Sequence, residues 1–99
     1  MVFVLNDKKY DTEKMEKIDD VKKWFKYRTV ILIQMFGEES GRYYDCELWR
    51  SKKGNWLLTA KIDGGYTQGE AIDEQEARDL LKRYDLEKYE EIFGKLEEA

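Results

Sequence analysis

Clustered carboxylates are the residues of this sequence whose type and spacing most readily indicate a chemical role. Residues 70 to 99 hold eleven acidic and five basic side chains, a net charge of −6, whereas the whole chain carries −4. On a helix, like charges four positions apart share one face. Such a row matches the charge of a nucleic-acid backbone and fits a partner with a basic surface; a solvated helix face is the plainer alternative. The acids that we expect to contact a partner are Glu74, Asp79, Glu87, Glu90 and Glu91.

Basic side chains interleaved with aromatic rings form a second set, with the composition of a nucleic-acid-binding site. The cations would neutralise phosphates and the rings would stack on bases. The net charge of −4 counts against this set, because phosphate neutralisation supplies most of such affinity. Cations at a helix end beside core aromatic residues are the alternative explanation. The set consists of Lys22, Lys23, Lys26, Arg28, Lys52 and Lys53, with Trp24 or Trp56.

The sequence contains no histidine and a single cysteine, Cys46. Histidine is the usual general base and the commonest metal ligand, so most zinc and triad chemistry is excluded. Carboxylates alone still suffice for magnesium binding or glycoside hydrolysis, but only where two or three converge in a cleft. Cys46 occupies an inward-facing position of a predicted strand, so we expect it to lie in the core. We therefore expect no catalytic activity, no cofactor and no metal site.

Length and composition predict one domain over residues 1–99. The chain is 41% hydrophobic and 40% charged, which suits one core with a strongly solvated exterior. No apolar run approaches the 18 residues or so of a membrane span, and the N-terminus lacks the charged-then-apolar order of a signal peptide. We expect a cytoplasmic protein.

Residues 43 to 62 alternate in polarity on both sides of Gly54, which predicts a β-hairpin with strands at 43 to 50 and 56 to 62. A three-residue loop, 52 to 54, with left-handed glycine places apolar residues on one face. A two-residue turn would mix the two faces. The predicted pairs are Arg50–Trp56, Trp49–Leu57, Leu48–Leu58, Glu47–Thr59, Cys46–Ala60, Asp45–Lys61 and Tyr44–Ile62.

The N-terminal third predicts a small hairpin, a helix and a buried strand. Residues 2 to 5 and 9 to 10 flank a turn signal, Asn6-Asp7-Lys8, which predicts a small hairpin or an edge strand. Apolar residues then recur at helical spacing from Met15 to Phe25, which predicts a helix over 12 to 24. Residues 29 to 36, TVILIQMF, are rich in β-branched side chains, which favours a central strand; a helix through 12 to 36 is the alternative.

The C-terminal part predicts a loop followed by two helices. Residues 63 to 72 contain three glycines but no phosphate-binding spacing, so we expect a loop with Tyr66 and Gln68 available to a partner. Asp73 and Asp85 are placed as N-caps for helices over 74 to 84 and 86 to 93. The fold class is therefore α+β: an antiparallel β-meander of three to five strands, covered mainly on one face by an N-terminal helix and two short C-terminal helices.

Four short stretches resemble a family of small proteins carried by phages, plasmids and integrated elements of Gram-positive bacteria. They are KKYDT at 8–12, LWRSKKGNWLL at 48–58, EA at 76–77 and YEEIFG at 89–94. The resemblance implies a mobile-element context and no catalytic residues. Residues 22 to 42 are longer and more apolar than that pattern, so a partner surface there would be peculiar to this protein.

Together these observations predict a non-catalytic protein-interaction module. The specific hypothesis is a mobile-element inhibitor of a host defence nuclease, of the anti-CRISPR type. It would act through an acidic, nucleic-acid-mimicking surface on a basic protein partner. The alternative is a small nucleic-acid-binding or regulatory protein that uses the basic and aromatic set.

Overall fold

The computed structural model describes residues 1–62 and 67–99 and has the α+β architecture that the sequence predicts. Within these ranges, a four-stranded antiparallel sheet of order β3-β4-β5-β6 accompanies a two-stranded sheet, β1-β2, and three helices. The strands are β1 (Val2–Leu5), β2 (Lys8–Asp11), β3 (Glu16–Lys26), β4 (Gly41–Arg50), β5 (Trp56–Lys61) and β6 (Thr67–Ile72). The helices are α1 (Val30–Phe36), α2 (Glu74–Tyr84) and α3 (Leu86–Phe93).

The β4–β5 hairpin has the predicted register. Its ladder runs from Arg50–Trp56 to Cys46–Ala60 and contains the Leu48–Leu58 pair. Gly54 has φ +86°, in the left-handed region assigned to it from the sequence. The two outermost predicted pairs, Asp45–Lys61 and Tyr44–Ile62, are not part of the ladder. Asp45 instead pairs with Lys22 of β3, 3.4 Å away.

The predicted helix over 12 to 24 is wrong, because most of this segment is strand β3. After a short 3₁₀ turn over Thr12–Lys14, the chain pairs with β4 along its full length. The ladder shifts register between Lys17 and Asp19, where the extra residue, Ile18, forms a β-bulge. The bulge leaves both Ile18 and Val21 buried at a spacing of three. That spacing imitates a helix, which explains the error.

The predicted central strand over 29 to 36 is also wrong, because residues Val30–Phe36 form helix α1. This segment joins β3 to β4 beyond the last pair of their ladder, Lys26–Gly41. Strand propensity reflects packing on a pleated, half-buried surface, and here there is no such surface. Gly37, at φ +100°, ends the helix and donates its amide to the carbonyl of Ile33 at 2.7 Å.

Strand β6 and the β1–β2 hairpin complete the two sheets. The predicted loop over 63 to 72 is wrong for Thr67–Ile72, which is edge strand β6; its first part, 63–66, lies outside the described residues. The small N-terminal hairpin β1–β2 is confirmed. Gly69 of β6 lies under the ring of Phe3, and a Cβ there would come within 2.5 Å of that ring. The β1–β2 hairpin therefore packs closely against β6.

The core lies between the sheet and the two C-terminal helices, both of which are confirmed. Asp73 accepts a hydrogen bond from the amide of Glu76 at 2.8 Å, and Asp85 accepts one from the amide of Lys88 at 3.1 Å, so both predicted caps form. The buried cluster joins residues of β3, β4, β5, α2 and α3. Leu57 is buried outside this cluster, on the strand face opposite Leu58. The sheet is therefore covered on both faces and not mainly on one.

Candidate functional site

Six of the twelve large apolar residues exposed in the described chain lie together at one end of the β3–β4 hairpin. Helix α1 has no buried residue. Four of its side chains are more than half exposed: Val30 at 68%, Ile31 at 69%, Met35 at 67% and Phe36 at 55%. We call α1, Trp24 and Tyr43 the apolar end. Apolar residues grouped on a surface in this way mark interaction sites more often than single exposed ones do.

Trp24 and Tyr43 extend this surface onto the strands. They are direct cross-strand partners near the end of the ladder, and both are exposed. The neighbouring Gly41 allows the strands to approach, because a Cβ at this position would lie 2.1 Å from the carbonyl oxygen of Phe25 and 2.7 Å from the ring of Trp24. The sequence therefore needs glycine here to hold Trp24 against the start of β4.

Contacts at the base of α1 fix it to the hairpin. The rings of Tyr27 and Phe36 lie 5.6 Å apart, and the hydroxyl of Ser40 donates to the carbonyl of Phe36. The amide of Tyr27 donates to the carbonyl of Ser40 at 2.9 Å, one step beyond the ladder. These contacts use one side of Phe36 and leave Ile31 and Met35, one helical turn apart, open to solvent.

Two lysines of β3 beside the apolar end are paired with carboxylates. Lys22 binds Asp45 at 3.4 Å, and Lys26 binds Glu39 at 2.9 Å. Both pairs are exposed, so each stabilises the fold by no more than about 1 kcal/mol. They place paired polar groups beside the apolar residues, and polar groups also border the core of a protein–protein contact.

The predicted basic and aromatic set does not form one surface. Lys23 binds Glu70 at 2.5 Å and Glu76 at 2.7 Å and is a structural link between β3, β6 and α2. Trp56 is buried in the core. Lys52 and Lys53 lie in the β4–β5 loop, at the opposite end of β4 from Trp24. Among the residues of this set, Trp24 belongs to the apolar end.

The predicted acidic residues lie on α2 and α3, but neighbouring groups engage several of them. Glu74 binds Arg78 at 3.1 Å, and Glu91 lies 3.6 Å from Lys88. Asp79 accepts a hydrogen bond from Gln75, and Glu90 accepts one from the amide of Leu96. Glu87 is exposed. The carboxylates therefore share one side of the molecule with several cations and do not form an uninterrupted row.

The structure describes one of the two residues that were predicted at a loop tip. Gln68 lies in β6, paired with Ala60, and is half-buried, so it is not at a loop tip. Tyr66 lies outside the described residues.

Groups with reactive potential are few in the described ranges. Cys46 is buried as predicted, and burial raises the pKa of its thiol to about 11, which keeps it protonated and unreactive. The described residues contain no cluster of three or more acids or cysteines able to hold a metal ion. In the same ranges, no helix is both long and apolar enough to cross a bilayer.

Asp19 and Asp85 form a pair of carboxyls where the bulge of β3 meets the start of α3. Burial, followed by the hydrogen bond to Asp85, raises the pKa of Asp19, and the same hydrogen bond lowers the pKa of Asp85. Asp19 Oδ2 is buried without a donor among the described residues. Of the two carboxyls, Asp19 is therefore the more easily protonated.

In comparisons with known proteins, no family model, no curated protein and no solved structure matches this chain. The function therefore has to be argued from the surfaces of the molecule.

Proposed function

We propose that the protein is a non-catalytic protein-interaction module and that its apolar end is the contact surface. The observation that carries this proposal is the exposure of α1, the most apolar run of the chain, outside the core. Its sequence neighbourhood, residues 22 to 42, is also the part that departs from the resemblance to mobile-element proteins. The partner is a protein with an apolar groove or patch that receives Ile31 and Met35.

The free energy gained by burying the apolar end is enough for binding only if the partner covers most of its exposed side chains. Burying one large aliphatic or aromatic side chain completely is worth about 1.5–3 kcal/mol, so four that are half to two-thirds exposed supply roughly 4–8 kcal/mol. Association costs an estimated 4–15 kcal/mol. The partner must therefore also cover Trp24 and Tyr43 or add contacts of its own.

The experiment compares baits in a pull-down from the host lysate. One bait is the wild type, and the second carries Ile31→Ser and Met35→Ser. The matched control carries Val4→Ser and Leu86→Ser, because these residues are also exposed and undergo the same kind of change away from the apolar end. We expect a protein that the wild type and the control capture and that the second bait loses. Equal capture by all three baits would contradict the proposal.

A second candidate places the contact on the carboxylates of α2 and α3. It is the inhibitor of a host defence nuclease, of the anti-CRISPR type, and it places the protein in the cytoplasm. The net charge of −6 over residues 70 to 99 and the exposure of Glu87 and Glu91 support it. The cations beside Glu74 and Glu91 weigh against a strict phosphate mimic.

A bait with Glu87, Glu90 and Glu91 changed to Lys tests this candidate in the same pull-down. Because the groups are surface charges, we expect stability to change by about 1 kcal/mol or less. If the acidic surface binds, capture fails for this bait and weakens steeply with salt, since the Debye length is about 10 Å at 0.1 M. If this bait loses the partner while the Ile31→Ser and Met35→Ser bait retains it, the contact surface lies on α3 and not at the apolar end.

A further inference from the structure

A groove of about 1280 Å³ lies between the β1–β2 hairpin and the β4–β5 loop, at the other end of the β3–β4 ladder from the apolar end. The ladder joins Glu16 to Arg50 at the groove and Lys26 to Gly41 at the far end. Ten residue steps of about 3.3 Å put the two surfaces roughly 33 Å apart. We call it the basic groove, after its lining lysines Lys8, Lys9, Lys14, Lys52 and Lys53.

These five lysines differ from the lysines of β3 in having no ion pair. In the ranges that the structure describes, the lysines of β3 at 17, 22, 23 and 26 are each bound to at least one carboxylate. No ion pair within those ranges includes a lysine of the groove; Lys8 only donates a long hydrogen bond to Asn55 at 3.4 Å. Lys61, Lys82 and Lys95 also form no ion pair within the described ranges, but they lie apart on β5, on α2 and near the C-terminus. The groove is where five such lysines come together.

The lining holds six basic side chains against three acids, Asp11, Glu13 and Glu16, which leaves the groove a net charge of +3. Asp11 accepts a hydrogen bond from the amide of Glu13 at 3.1 Å. Glu16 binds Arg50 at 3.6 Å, and the guanidinium of Arg50 also lies over the ring of Trp56. The groove therefore keeps a positive charge and offers ammonium groups and no free guanidinium fork.

The chemistry of the lining selects a class of ligand. Ammonium groups bind phosphate as point charges, and without a free arginine fork the groove lacks the bidentate geometry that recognises one particular anionic group or base. The aromatic residue of the lining, Tyr10, is buried, so it offers no face on which an unpaired base can stack. We propose that the basic groove binds the phosphate backbone of duplex nucleic acid without reading its sequence.

The acidic helices restrict this binding to the basic groove. With a net charge of −4, the rest of the protein repels a polyanion, so a duplex approaches favourably only from the side of the five lysines. Neutralising about five phosphates gives a slope of roughly −4.5 in log affinity against log salt. The affinity should therefore fall about 500-fold between 50 mM and 200 mM salt. This site is independent of the protein contact proposed for the apolar end.

Fluorescence anisotropy with a labelled 16-base-pair duplex at 50 to 200 mM salt tests the site. The variant Lys52→Gln with Lys53→Gln should lose at least about tenfold in affinity and reduce the slope by about 1.8. The control Lys61→Gln with Lys95→Gln makes the same change of net charge outside the groove and should alter affinity less than about twofold. Thermal melting checks that both variants are folded.

Several outcomes would overturn the proposal. No binding at 50 mM salt, or equal losses in variant and control, would show that the groove is not a site. Tighter binding of the single strand would refute the duplex assignment, and polyglutamate binding as tightly as the duplex would refute the phosphate assignment. DNA and RNA duplexes of one sequence are compared to identify the source of the backbone. Ile31→Ser with Met35→Ser should bind the duplex like the wild type, which separates this test from that of the proposed function.

Discussion

The core and the apolar end contain the same kinds of side chain in opposite surroundings. Leu48, Leu58 and Leu81 are at most 1% exposed, whereas Ile31 and Met35 are more than two-thirds exposed. In the core, the sheet and two capped helices close over the apolar residues. At the apolar end, the chain turns beyond the ladder, where no face is available to cover α1. Position in the topology, and not apolar character, decides which residues support the fold.

This difference separates stability from binding. A change in the core should lower the free energy of unfolding, and a change on α1 should leave it nearly constant. The predictions below test that separation, beginning with the largest expected effect.

Leu58→Ala tests the core side of the comparison. Leu58 is 1% exposed and packs in the cluster between β5 and the helices, so its truncation should cost about 2–5 kcal/mol. Urea unfolding followed by circular dichroism measures the loss. A loss below about 1 kcal/mol would show that the cluster is not the stabilising core.

Gly41→Ala tests how the apolar end is held. A new Cβ would lie 2.1 Å from the carbonyl oxygen of Phe25, so the last pairs of the β3–β4 ladder must separate. We expect a loss of about 1–3 kcal/mol, typical of overpacking. Faster amide exchange limited to the end of the ladder near Lys26 would locate the change there. A loss within about 0.5 kcal/mol would mean that this end is already loose.

Gly54→Val tests the turn of the core hairpin, and it differs from Gly41 because nothing lies within 4 Å of its Cβ position. The cost comes only from φ +86°, which a β-branched residue adopts with a strain of about 1–2 kcal/mol. The same urea titration measures it. An unchanged midpoint would be inconsistent with a left-handed residue in this turn.

Asp19→Asn tests the carboxyl pair, which lies on the core side. In the folded protein the pKa of Asp19 lies above its usual 3.8, so the folded chain binds this proton more tightly than the unfolded chain does. Asp19 therefore opposes folding when ionised, and this penalty disappears as the pH falls through the raised pKa. The amide mimics the protonated acid and donates to Asp85.

The variant should consequently be more stable than the wild type at pH 7, with a difference that shrinks as the pH falls toward 4. Thermal melting at several pH values measures this difference. Asp20→Asn, at the exposed neighbouring position, is the control for charge. A variant less stable than the wild type at pH 7 would show that the ionised carboxylate supports the fold.

The parts of the fold that the sequence predicts correctly are those in which local signals agree with the tertiary structure. Alternation and a glycine turn specify β4–β5, and the caps Asp73 and Asp85 specify α2 and α3. Strand β3 was mistaken for a helix because the bulge at Ile18 changes the spacing of buried residues. A single sequence does not reveal a bulge, since a bulge is defined by the pairing with a partner strand.

The candidate site was predictable only in part. The apolar character of residues 30 to 36 is plain in the sequence, but a buried central strand would explain it equally well. The structure decides between the two, because β3 pairs directly with β4 and leaves no place between them for this segment. The hypothesis of a partner surface within residues 22 to 42 covers this site. The basic groove was not foreseeable, because its lysines come together from strand β2, the 3₁₀ turn over Thr12–Lys14 and the β4–β5 loop.

The smallest effect on stability is expected for Ile31→Ser with Met35→Ser. Both side chains are exposed, so the free energy of unfolding should change by about 0.5 kcal/mol or less. The urea titration used for Leu58→Ala provides the direct contrast. A loss above about 2 kcal/mol would mean that α1 supports the fold.

The affinity of that same double variant for the captured partner, measured by calorimetry, tests the central claim most directly. The account predicts at least a tenfold weaker complex than with the wild type, together with a less negative heat-capacity change, because less apolar surface is buried. The Val4→Ser and Leu86→Ser control should bind like the wild type. An Ile31→Ser, Met35→Ser protein that binds the partner with unchanged affinity would contradict the assignment of the apolar end as the contact surface.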